Sequence, residues 1–254
     1  MQQQLSGLNF VIIIPTTKSA IPTVSSAFFD AANISSGMEL ASEPISAPNY
    51  ARVEYKKGDK QSVIVTSEQN RVEFSETLNS EYNEAPAIIR MSTSYTQMLP
   101  NLGCEAVVIN FRGFKACPED SYAASRFITS NFLAKSSFAS IGKSPVRASI
   151  NLVFDTERCP VYFSIAEASM RSEEEEATTP IVVFSGSFSY VLKGETSAEK
   201  LAYMHECIGN WQFDYAVFTD IVNNHFLAQN VVEPSYQQVP QLEADNNFYA
   251  VSAV

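Results

Sequence analysis

One order of elements, written twice, constrains this chain more than any motif does. Each half reads as strand, helix, three antiparallel strands and an amphipathic helix, once over residues 1–100 and again over 101–229. Strands joined by tight turns pair antiparallel, and a helix with one apolar stripe must bury it. The expected class is therefore α+β: antiparallel sheets backed by helices, in two successive β-α-β-β-β-α units. Residue identity between the halves is not evident, so a pseudo-duplication would be one of pattern. Residues 230–254 lose all periodicity and read as an extended C-terminal tail.

The first unit rests on short signals. Residues 9–14 are a β-branched run closed by Pro15, and 19–33 suggest a modest helix with Pro22 in its first turn. Residues 35–48, with Gly37, Pro44 and Pro48, read as a connection. Ala51, Val53 and Tyr55 alternate with polar residues, and turns at 57–60 and 68–70 lead into 62–66 and 72–74. Ile88, Met91, Tyr95 and Met98 then mark a helix between Pro86 and Pro100.

The second unit is more strongly written. Val107, Ile109 and Phe111 alternate in a strand ending near Gly113, and a helix opens at Pro118-Glu119-Asp120. Strands follow over 146–154, 161–165 and 182–192. Thr196-x-x-Glu199 is a capping box. Behind it Leu201, Met204, Ile208, Trp211, Tyr215, Phe218 and Val222 form one wide stripe on a single long helix. At fold level the doubled order is similar to two-layer duplicated folds such as the TATA-binding-protein-like fold, where a curved antiparallel sheet is backed by helices. That fold hosts unrelated functions, so the similarity implies no activity.

Charge narrows the partners. With 17 Lys and Arg against 28 Asp and Glu, the net charge of −11 disfavours nucleic acid, whose binding needs clustered cations. The densest basic group, Lys56, Lys57 and Lys60, sits at a hairpin tip. The apolar run at 10–14 is too short to cross a bilayer, so membrane insertion and secretion are not expected and a cytoplasmic setting is. Cys104, Cys117, Cys159 and Cys207 show no metal or redox spacing and read as buried or half-buried free thiols.

Chemistry finds little footing. The two histidines, His205 and His225, fall about 30 Å apart by helical rise and do not share an ion. There is no GxSxG elbow, and Gly186 within Ser185-Gly186-Ser187 reads as a bulge or a close approach. Gly142-Lys143-Ser144 lacks the upstream glycine of a phosphate loop. No cofactor, metal or catalytic residue is expected.

What remains are surfaces. The run Glu173, Glu174, Glu175 and Glu176 must stay solvated, either as a plain loop or as a dock for a basic partner. Trp211 and Tyr215 offer aromatic contact to a partner or to the core. The reading that follows is a non-enzymatic binding or assembly protein that works through protein contacts, self-association included. The alternatives are a structural subunit of a large particle such as a phage component, and an enzyme whose site is assembled from dispersed Asp, Glu, Tyr and Ser residues.

Overall fold

Alternation of apolar and polar residues sets the strands, and the computed structural model joins all of them into one sheet. It describes residues 5–58, 61–78, 85–133, 146–171 and 178–228. Strand β1 (Ser6–Pro15) leads through a 3-10 turn (Ile21–Thr23) to α1 (Ser26–Ala31). Then come β2 (Glu39–Leu40), β3 (Ile45–Ala47), β4 (Tyr50–Lys57), β5 (Gln61–Glu68), β6 (Arg71–Thr77) and α2 (Ala87–Met98). The second half runs β7 (Ala106–Ala116), α3 (Ala123–Phe132), β8 (Ile150–Asp155), β9 (Pro160–Arg171) and β10 (Thr178–Val191). Helices α4 (Ser197–Gly209) and α5 (Trp211–Asp220) follow, the latter widening into a π-helical turn over Ile221–Phe226.

The ten strands lie in the order β2-β4-β5-β6-β1-β7-β10-β9-β8, with β3 also on β4, and every pair is antiparallel. Both halves place their first strand at the middle of the sheet and the last of their meander beside it. The likeness of the halves is one of topology. Because β1 pairs with β7, the two units share one sheet and one continuous core.

Register shows how that core is made. A line of direct cross-strand partners runs Tyr55, Val63, Glu76, Phe10, Phe111, Gly186, Phe163 and Leu152. Except for half-buried Leu152 at the edge, all of them are buried. Helix α2 packs on β1 and β6, α3 on β9 and β10, and α4 and α5 on β7. Gly186 lies on this line because Phe218 of α5 sits over it. A Cβ there would meet the Phe218 ring at 2.8 Å, and pairing across Gly186 stays in step on both sides. This is a close approach rather than a bulge.

Several local outcomes differ from the periodicity. The helix expected over 19–33 shrinks to α1, because Pro22 confines the first turn to 3-10 geometry and Ser25 starts a new helix by accepting from Phe28 N–H at 3.3 Å. The connection over 35–48 contains the fragments β2 and β3. Met98, placed on the stripe of α2, is 56% exposed. The helix expected to open at Pro118 starts at Ala123, after a turn in which Asp120 accepts from Tyr122 N–H at 2.8 Å. The long closing helix breaks at Asn210, whose φ of −93° and ψ of 18° interrupt the ladder. The stripe nevertheless continues through the break, with Met204, Ile208, Phe218 and Val222 buried.

Candidate interaction surface

Every helix named above packs on one side of the sheet, so among the described residues the partners that point the other way have no layer above them. On that open face a second line of direct partners runs Glu54, Ile64, Ser75, Val11, Asn110, Ser187, Tyr162 and Val153. Its inner members are partly shielded by one another, while Tyr162 and Val153 are 52% and 61% exposed. Around the centre Ser185, Ser187 and Ser189 of β10 lie beside Arg112, Asn110 and Val108 of β7. Arg112 donates from Nε to Ser185 Oγ at 3.2 Å, and Ser75 donates to Asn9 Oδ1 at 3.1 Å. Asn110 Oδ1, at the middle of the sheet, is shielded and has no hydrogen-bond partner among the described residues. Such an acceptor is costly unless a donor reaches it from outside.

Trp211 and Tyr215 belong to the core side. Trp211 stacks on Phe10 at 5.3 Å between ring centroids, and Tyr215 lies 5.5 Å from Phe111. Both keep a half-buried outer edge. The aromatic surface that α5 does present is Phe213, 65% exposed, with Val217 at 37%. Glu173–Glu176, residues 230–254, Lys60 and Gly142-Lys143-Ser144 all lie outside the described residues.

Two buried carboxylates hold helices to the sheet. Glu76, 1% exposed in the middle of the apolar line, accepts from Ile88 N–H at 3.0 Å and from the Gln61 amide. It thus satisfies the first turn of α2, which has no cap of its own. Burial raises its pKa above the ordinary carboxylate range, against the pull of those hydrogen bonds. Asp214, also 1% exposed, accepts at Oδ1 from Tyr190 Oη at 2.7 Å and Arg158 Nη1 at 2.8 Å. Its Oδ2 has no partner among the described residues. Burial raises Asp214 and pushes the Tyr190 phenol up as well, the neighbouring carboxylate adding to it, so the phenol stays a donor. Arg158 lies 5.5 Å from the centroid of the Tyr190 ring and 5.6 Å from that of Phe213. Neither group belongs to a sequence motif. Asp214 did leave a trace, since it stands three residues after Trp211 and four before Phe218, a charge on the buried stripe.

The remaining reactive groups serve packing. His205 Nε2 meets Thr96 Oγ1 at 2.9 Å, joining α4 to α2, and burial lowers its pKa. His225 lies 3.7 Å from Asp220 on the surface. The four thiols are free, three buried and Cys104 half-buried, and burial pushes Cys104 up to about 11, which leaves it a poor nucleophile. A cleft of about 320 Å³ beside α3 holds Ser125, Arg147 and Glu167, but both Glu167 oxygens are taken, one by Ser125 and one by Arg147. Among the described residues no three His, Cys, Asp or Glu side chains gather as a metal site would require. Nor is any described helix long and apolar enough to cross a membrane.

No protein-family model matches the chain, and none of the curated proteins is similar to it.

Proposed function

We propose that this chain is a non-enzymatic binding or assembly protein, and that the open face of its sheet is where another protein docks. The observation that carries this is the one-sidedness of the molecule. Five helices and the core lie on one face, while the other is charged over β4 to β6, with Arg52, Glu54 and Glu73, and over β1 and β7 to β10 presents Ser, Asn, Val and Ile with Tyr162 and Val153 exposed at one end. An antiparallel sheet can leave one face to water, and then that face is usually polar. Here β1, β7, β10, β9 and β8 turn out mostly small polar and apolar side chains, the charges being Arg112 near the centre and Asp155 on the edge strand. Such a surface loses little on desolvation, and the free Asn110 acceptor gains a partner when covered.

Site-specific photo-crosslinking tests it. A benzoylphenylalanine replacing Arg112, exposed at the centre of the open face, is expected to give protein adducts in the cell that makes the chain. The same group replacing Glu206, exposed on the helix side, is expected to give far fewer. Equal yields, or none from Arg112, would contradict the proposal.

A further inference from the structure

The two edges of the sheet are built differently. At one, β4 is covered by the fragments β2 and β3, two and three residues long, interrupted at Pro44 and followed by Pro48. Short strands and prolines are the devices that stop a sheet from growing. At the other edge β8 runs for six residues, Ile150-Asn-Leu-Val-Phe-Asp155, with no proline, no lysine and no inward charge. Among the described residues it pairs with β9 alone. Its inward side chains Ile150, Leu152 and Phe154 are only half-buried, although their neighbours Ile165, Phe163 and Val161 on β9 are 0–1% exposed. Among the described residues the core therefore runs out at β8 with apolar surface still exposed.

We propose that a second copy of this chain adds its own β8 antiparallel to this edge, making one sheet that runs through two molecules. This rests on the reading of a protein that acts through protein contacts, and it names the partner. Directly opposed residues of an antiparallel pair share a face, so the two-fold axis must pass through a residue, and Leu152 is the one that suits. Leu152 then meets its own copy, and Ile150 meets Phe154 twice, closing the core from both sides. Outside, Asn151 meets Val153. The same register carries Arg147, which pairs with Glu167 of its own chain yet leaves 77% of its side chain exposed, toward the acidic end of the other copy at Asp155 and Glu157. Opposite charges thus face each other at both ends of the seam, although each chain carries a net charge of −11. An unrelated strand would have to match both the apolar triplet and the two charged ends; a second copy does so by symmetry.

Light scattering on the eluting full-length chain tests this, across micromolar concentrations. The chain is expected at about twice its mass of 28.0 kDa. Asn151 and Val153 are both exposed on the outer face, so N151K/V153K leaves the fold intact, checked by circular dichroism. In the dimer it sets ammonium against ammonium at two cross-strand pairs, which like charges destabilise. The dimer dissociation constant is expected to rise about tenfold. N151E/V153E should behave the same way, and an equimolar mixture of the two variants should regain the dimer mass. A monomeric wild type, a lysine variant as dimeric as wild type, or a mixture that stays monomeric would each overturn the proposal. A monomeric wild type leaves crosslinking from Arg112 untouched, and failed crosslinking leaves this mass measurement untouched, so the two readings fail separately.

Discussion

Glu76 shows how one residue reconciles conflicting demands. It sits between Val63 and Phe10 in a buried line of the sheet, where an ionised carboxylate is expensive, yet it closes the first turn of α2. Because burial raises its folded pKa above the unfolded value, its contribution is fully present below the unfolded pKa and is lost as pH rises through the folded one. Glu76→Gln keeps an oxygen for Ile88 N–H and cannot ionise. The stability of this variant relative to wild type, measured by urea midpoints, is therefore expected to increase from acid toward neutral pH and then level off. A constant difference across that range would refute the account of Glu76. Asp214 has the same sign, so part of the wild-type slope should persist in the variant. Neither carboxylate was legible as a cap or a strap, because each takes its partners from elements remote in sequence: Ile88 for Glu76, Tyr190 and Arg158 for Asp214. Gly186 was legible, since a glycine inside an alternating strand asks for a close neighbour, though only the fold names Phe218.

At the scale of elements, local pattern carried far. The strands from Val107 and from Val182, the helix between Pro86 and Pro100 and the capping box at Thr196 all stand where alternation and stripes put them. In the capping box Thr196 Oγ1 accepts from Glu199 N–H at 3.2 Å, while Glu199 accepts from Thr196 N–H at 2.9 Å. Helix ends were less legible, because a stripe keeps its rhythm across the break at Asn210 and gives no sign of it. Besides the packing of Phe218 over Gly186 and the Tyr190 bond, Arg158 straps α5 to the sheet, reaching from the turn between β8 and β9 to Asp214 and Asn210. Arg158→Ala leaves a buried carboxylate with Tyr190 alone. With the arginine side chain 34% exposed, the expected loss of stability is about 2–3 kcal/mol, somewhat below that for a fully buried pair. Chemical denaturation measures it, and a loss within experimental error would show that the strap contributes nothing.

For the whole molecule, the doubled order of elements foretold the class but not the single sheet. Pairing of β1 with β7 depends on no local signal; it follows from each unit having a central strand with a free edge, which the other unit covers. Among the described residues the same logic leaves β8 open at the far edge. The open face was half legible, because alternation separates Ser185, Ser187 and Ser189 from Phe184, Phe188 and Tyr190, but which side the helices take is a tertiary outcome. The molecule supplies two exposed aromatic reporters on opposite sides: Tyr162 on the open face, 52% exposed, and Phe213 on the helix side, 65% exposed. Hydroxyl-radical footprinting of both, in a native extract and in the purified chain at the same concentration, compares the two surfaces directly. If the sheet face is the contact surface, Tyr162 is protected in the extract while Phe213 reacts as in the purified chain. Protection of Phe213 with Tyr162 unchanged, or of neither, would contradict it.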